Sequence, residues 1–167
     1  LLGIINDILD FSKIEAGQLD LEIRPVDVRD CVESALDLVS SRAAEKNLDI
    51  AYILEDEVPL AIGTDLTRLR QVLLNLLSNA IKFTEEGRVV IRVDLMETEH
   101  QDEVTLRLQV IDSGIGISEE ARSGLFDAFS QAEMSTTRQF GGTGLGLTIS
   151  QRLVDIMQGS IGVESEL

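Results

Sequence analysis

A two-layer α/β sandwich, with a mixed sheet packed on three helices, is the fold class this sequence predicts. Three observations carry it. Strand-like and helix-like periods follow one another along the chain. Arg88 to Met96 and Val104 to Ile111 flank the polar run Glu97 to Glu103, so they read as a hairpin with an exposed loop. Hydrophobic residues make up 44% of the 167 but aromatics only 4%, with no Trp, so one domain's core must be aliphatic.

Residues 1–16 place Leu1, Leu2, Ile5, Ile8 and Leu9 on one face, narrowed at Ser12, with Asn6, Asp7, Asp10 and Lys13 mostly off it. That pattern predicts the last turns of an amphipathic helix, ended near Gly17, whose apolar face needs a partner. Leu19 to Ile23 alternates and predicts a strand. Pro25-Val26-Asp27 opens a helix with Asp27 as N-cap and Val28, Val32, Ala35, Leu36, Val39 and Ala43 as its buried stripe, beside Cys31. Leu48 to Leu54 is a further strand, and Asp65 caps a helix from Leu66 to Phe83. In the run 104–111 the inner row is Val104, Leu106, Leu108 and Val110. Ser118 caps a short helix to about Gly124, and 126–143 is a long loop rich in Gly, Ser, Thr and Gln. Gly144 to Met157 is the last helix, closed by Gly159, and Ser160 to Val163 begins a final strand.

Lys and Arg number 14 against 30 Asp and Glu, a net charge of −16 that excludes nucleic acid and anionic lipid as bulk partners. An anionic ligand then needs local donors or a metal ion. The single cysteine rules out an internal disulfide or a multi-Cys zinc site and fits a reducing compartment. No apolar run approaches spanning length, and no signal peptide is visible. A chain that opens on Leu1 and stops in a strand-like run is expected to be a piece of a longer, cytoplasmic protein region.

Three stretches carry chemistry. Asn75 and Asn79 stand at i,i+4, with Lys82 on the same face of a mostly apolar helix. Asn is a poor helix former, so the stripe is either a solvated face or one that offers amide oxygens to Mg²⁺ and an ammonium to phosphate. Asp112 ends a buried strand, where a carboxylate can accept from an exocyclic amino group such as adenine N6. Gly114 and Gly116 would let the chain turn beside a flat ring, although an ordinary Asp-Ser-Gly turn reads the same way. Gly141-Gly142-Thr143-Gly144-Leu145-Gly146-Leu147 leads straight into a helix, which suits a polyphosphate, or else serves as a flexible linker. No Lys-Ser or Lys-Thr follows it, so it is no P-loop. No strand precedes it and Leu147 replaces the third glycine, so it fits the dinucleotide fingerprint poorly.

Asn75 to Phe83 resembles the N box of sensor histidine kinases, Asp112 to Ile117 the first G box, Leu125 to Phe129 the F box, and Gly141 to Leu147 the second G box. All four come in that family's order and spacing. Residues 1–17 resemble the end of the second helix of the dimerisation and phosphoacceptor domain of hybrid kinases, and 18–167 the ATP-binding catalytic domain, cut short at its C-terminus.

The resemblance implies a Bergerat-type (GHKL) α/β fold binding Mg²⁺–ATP. It would assign Asn75 and Asn79 to metal and phosphates, Lys82 to a phosphate, and Asp112 to the adenine amino group, with Phe83 flanking the ring and Gly114, Gly116 and Ile117 shaping that side. Gly141, Gly142, Thr143, Gly144, Leu145 and Gly146 would form the base of the ATP lid, anchored at its other end by Phe126 and Phe129, with Arg138 facing the γ-phosphate. Gyrase- and chaperone-type ATPases of this superfamily carry a water-activating Glu where Asn75 stands, and an amide cannot take water's proton. The implied activity is therefore histidine phosphorylation in a two-component phosphorelay; the alternatives are a GHKL-type ATPase and a degenerate nucleotide-binding regulatory module.

The acceptor segment is missing, and His100, the only histidine, reads as an exposed hairpin residue, so the chain is not self-sufficient. Expected partners are ATP, a phosphoacceptor-histidine helix, and the receiver domain of the parent protein or a response regulator. The parent is expected to be a homodimer, with any inner-membrane anchor outside these residues.

Overall fold

The computed structural model describes residues 2–96, 103–127 and 144–166. In chain order the elements are α1 (Leu2–Glu15), β1 (Arg24–Asp27), α2 (Val28–Glu45), β2 (Asp49–Leu54), β3 (Ala61–Thr64), α3 (Leu66–Phe83), β4 (Arg88–Met96), β5 (Thr105–Asp112), α4 (Glu119–Arg122) and α5 (Gly146–Ile156). They fall into two compact units, one of Glu22–Ile115 and one of Leu1–Leu21 with Gly116–Leu167.

The unit Glu22–Ile115 holds helices packed on a mixed sheet. β4 lies in the middle, parallel to β2 (Asp49↔Arg88 to Leu54↔Val93) and antiparallel to β5 (Val89↔Asp112 to Met96↔Thr105). The hairpin expectation holds for the two strands; its loop, with His100, lies outside the described residues. Val89, Ile91 and Val93 of β4 are fully buried against the expected α2 stripe and against Leu73, Leu77, Ala80 and Ile81 of α3. The core is aliphatic, as the composition requires, and Cys31 packs within it. Burial pushes the Cys31 thiol up, further from the reactive thiolate.

Both long helices begin on the aspartates read from the sequence. Asp27 Oδ1 accepts from Asp30 N at 3.0 Å, and Asp65 Oδ1 accepts from Arg68 N at 3.0 Å. α2 ends in a Schellman turn with Asn47 at φ 55°: Asn47 N donates to Ala44 O (3.0 Å) and Leu48 N to Ala43 O (2.9 Å).

The expected strand Leu19–Ile23 does not form; β1 runs Arg24–Asp27 instead and pairs with β3 (Arg24↔Thr64 to Asp27↔Ala61). Alternation marks a strand only where a ladder partner exists, and Ala61–Thr64 lies opposite the next four residues. Pro25 opposite Gly63 hid this pair, since each argues against a strand. Val104 falls beyond the Met96↔Thr105 end of its ladder and is 54% exposed, so it leaves the expected inner row; Leu106, Leu108 and Val110 pack on the core.

In the other unit α1 ends where Gly17 takes φ 63°, with Gln18 N on Lys13 O (2.9 Å) and Gly17 N on Ile14 O (3.0 Å). Ile5, Ile8 and Leu9 are about half exposed, while α1 meets α5 and buries Ile14. Ser118 caps α4 through Ala121 N, as expected. α5 stops one residue earlier than predicted: Gln158, not Gly159, holds the left-handed position (φ 62°), and Gly159 N donates to Val154 O at 2.9 Å. The expected strand Ser160–Val163 is absent; no ladder partner meets it among the described residues. Ser165 Oγ instead accepts from Ile117 N at 2.8 Å. No helix among the described residues is long and apolar enough to cross a membrane.

Candidate nucleotide site

The buried side of α3 is Val72, Leu73, Leu77, Ala80 and Ile81. Asn75, Asn79 and Lys82 follow the opposite stripe, and all three are half-buried, not fully solvated. Lys82 Nζ sits 4.7 Å from the centre of the Phe83 ring, a cation–π distance. Burial holds the Lys82 ammonium below the usual lysine range. A half-desolvated cation beside an aromatic ring is a place where an anion is worth more than at an open surface.

The turn after β5 is built onto the end of this helix. Ile115 N donates to Phe83 O at 3.3 Å. A Cβ on Gly114 would come 2.6 Å from that same carbonyl oxygen and 2.7 Å from Asp112 Oδ1, so only glycine lets the two segments approach. Gly114 N donates to Asp112 Oδ1 at 2.9 Å, which fixes the exposed carboxylate in an Asx turn. Ser113 ties the turn to β4: its Oγ accepts from Arg88 N (3.0 Å), and its N–H donates to Arg88 O (3.2 Å). Asn75, Asn79, Lys82, Phe83, Asp112 and Gly114 thus belong to one unit, joined at the end of α3.

The last carbonyls of a helix need partners from elsewhere, and here every one from Ala80 onward has one. Ala80 O takes Thr84 N (3.0 Å) and Thr84 Oγ1 (2.7 Å). Ile81 O and Lys82 O accept from Lys46 Nζ at 2.7 and 2.8 Å, and Thr84 O accepts from the same ammonium at 3.0 Å. Phe83 O takes Ile115 N. Sequence reasoning missed Lys46, because a basic residue at the end of α2 signals only that helix's own dipole. It also passed over the role of Ser113.

The remaining expected residues belong to the other unit or lie outside the described residues. Gly116 takes φ 72°, where only glycine is unstrained, and Ile117 gives its N–H to Ser165. Gly144 takes φ 69°, Leu145 is buried, and α5 starts at Gly146 without a side-chain cap. Thr148 Oγ1 donates to Phe126 O at 2.9 Å, which ties the start of α5 to the Phe126 segment. Phe129, Arg138, Gly141, Gly142 and Thr143 lie outside the described residues. Among the described residues no group of three or more His, Cys, Asp or Glu could hold a metal ion.

A protein-family model described as histidine kinase-, DNA gyrase B-, and HSP90-like ATPase matches residues 64–167. Over 165 residues the chain is 51% identical to the sensor histidine kinase GacS of Pseudomonas protegens, covering 99% of this chain and 18% of that protein. It is 43% identical over 166 residues to the signal transduction histidine-protein kinase BarA of Escherichia coli K12, again covering 99% of this chain and 18% of the relative. Full-length ShkA in complex with AMPPNP superposes with a TM-score of 0.86 at 37% identity, covering 99% of this chain and 33% of that one. ThkA in complex with the response regulator protein TrrA gives a TM-score of 0.72 at 25% identity, covering 98% and 45%. The family model spans the whole of α3, the turn after β5 and the glycine-rich run, and the chain belongs to the histidine kinase-, DNA gyrase B- and HSP90-like ATPase family.

Proposed function

We propose that this domain binds Mg²⁺–ATP and presents its γ-phosphoryl group to a histidine supplied from outside these 167 residues. The observation that carries the reading is the junction of α3 with the turn after β5, where Phe83 O meets Ile115 N. It joins the backbone that carries the half-buried Lys82 to the turn that carries the Asp112 carboxylate. The ShkA structure with AMPPNP and the kinase relatives support it.

In this reading Asp112 accepts from the adenine amino group, and Phe83 flanks the ring. Lys82 pairs with a phosphate. Asn75 and Asn79 fit a hard cation that keeps several waters, since both offer neutral amide oxygens on a half-buried face. When bound, Mg²⁺ would neutralise charge on the phosphate oxygens. From the motif we assign phosphate contacts to Gly141, Gly142, Thr143, Gly144, Leu145 and Gly146, the γ-phosphate to Arg138, and the lid's far anchor to Phe129, with Ile117 on the adenine side. In the transfer the bond from the γ-phosphorus to the β,γ-bridging oxygen breaks, a phosphorus–nitrogen bond to imidazole forms, and ADP leaves with the electron pair. The chain's part is positioning and charge stabilisation. Asn75 cannot accept water's proton, which favours transfer over hydrolysis. The ThkA complex with TrrA supports a receiver domain as the next partner; a dimeric parent and a cytoplasmic site belong to the same proposal.

A nucleotide titration with and without Mg²⁺ tests the reading. ATP binding strengthened by Mg²⁺, and weakened at least roughly tenfold by Asp112→Asn, is expected, because the adenine amino group loses a charge-assisted acceptor and meets an amide instead. Unchanged binding in that variant refutes the adenine assignment. Acid-labile label on the chain after incubation with γ-labelled ATP refutes the external acceptor.

A further inference from the structure

The geometry points to Lys46 as a positioning residue for nucleotide binding: its ammonium closes the C-terminal end of α3 and thereby keeps Lys82 turned outward for phosphate. The inference rests on the nucleotide reading given above.

Lys46 serves two helices at once. Its backbone N–H closes α2 on Ala43 O and Ala44 O. Its side chain then crosses to α3 and places the three hydrogens of the ammonium on Ile81 O, Lys82 O and Thr84 O, at 2.7, 2.8 and 3.0 Å. An ammonium has three donors and no acceptor, so this is a complete match. It also sets a full positive charge at the negative end of the α3 dipole. These carbonyls lie on the backbone that carries the phosphate residue Lys82 and leads to the ring residue Phe83.

The consequence for Lys82 follows from competition. A lysine in the last turn of a helix can fold back onto its own terminal carbonyls. Here those carbonyls are already occupied by Lys46, and Lys82 Nζ lies over the Phe83 ring instead. Without Lys46, unpaired carbonyls at the end of α3 would draw the Lys82 ammonium inward, away from a ligand phosphate. Phe83 is held separately by Ile115 N, so the adenine side should be less affected.

The test uses the whole chain and compares ATP with adenosine for wild type, Lys46→Met, Lys82→Met and the double variant, with thermal melting to confirm folding. Lys46→Met is expected to weaken ATP about tenfold and adenosine less than about threefold, the size expected when a charge-assisted contact is lost. With Lys82→Met already present, Lys46→Met should change ATP affinity less than about twofold, since residues acting through one another are non-additive. Equal losses for ATP and adenosine, or full additivity, would assign Lys46 a structural role only and overturn the inference. If Lys46→Met does not fold, Lys46→Arg replaces it. Planar donors cannot converge on three carbonyls as an ammonium does, so a loss of roughly threefold, dependent on Lys82, is expected. An unchanged ATP affinity in whichever of Lys46→Met and Lys46→Arg is the folded test variant overturns the inference while leaving the nucleotide reading intact; wild type that fails to bind ATP sinks both.

Discussion

Helices α3 and α5 carry motifs of the same family but their ends are closed differently. α3 is fastened at both ends by groups distant in the chain. Asp65 Oδ2 accepts from Glu22 N at 2.9 Å, 43 residues away, and Lys46 closes the other end across 35 to 38 residues. α5 begins with no side-chain cap and ends on its own next residues, with Gln158 in the left-handed position. A helix whose side chains must keep fixed positions takes tertiary restraints. α5 keeps a tie of this kind near its start, Thr148 Oγ1 on Phe126 O at 2.9 Å, while its C-terminal end closes locally.

Asp65→Ala should strike this difference hardest. It removes an N-cap and a second bond to Glu22, so a loss of about 2–3 kcal/mol in urea unfolding is expected. The pH dependence adds a sign. Burial would raise the Asp65 carboxyl, but N–H groups of Glu22, Arg68 and Thr67, with the Arg68 charge, outweigh it and hold the carboxyl below the usual carboxylate range. A depressed folded value means the contribution is complete above the unfolded value of about 4 and fades as pH falls through the folded one. Asp65→Asn should flatten that acid limb in a stability-versus-pH series; an unchanged limb would show that other carboxylates dominate it.

Gly114→Ala probes the far end of α3. Its Cβ would meet the backbone oxygen of Phe83 at 2.6 Å, so strain of about 1–3 kcal/mol is expected, with loss of nucleotide affinity in the same variant. A stable variant with normal affinity would show that the junction tolerates displacement. The smallest effect should come from Gln158→Gly, just after the C-terminal end of α5. Relief of a non-glycine left-handed residue should raise stability by about 1 kcal/mol, read as a higher melting temperature, with nucleotide affinity unchanged.

Much of this was legible because it is local. Asp27 and Asp65 announce helix starts through a side chain reaching three residues on. The apolar spacing of α2 and α3 names the faces that end up buried. The hairpin of β4 and β5 follows from two apolar runs around a polar one. Failures cluster where a partner decides. Leu19–Ile23 and Ser160–Val163 alternate like strands yet have no ladder among the described residues, whereas Arg24–Asp27, with a proline, does. In the candidate site the residue types at Asn75, Asn79, Lys82 and Asp112 were visible from spacing, but Lys46 was not.

By itself the sequence determined the helices, their caps, an aliphatic core and the family motifs, because each depends on residues within a few positions of one another. Only the tertiary structure decided which segments pair as strands and how α3 is closed. It laid Arg24–Asp27 beside Ala61–Thr64, brought Gly114 against the Phe83 carbonyl, and seated the Lys46 ammonium on three carbonyls at the end of another helix. The physical reason is that backbone donors and acceptors are the same at every residue, so nothing in a residue's identity says which distant group will satisfy them.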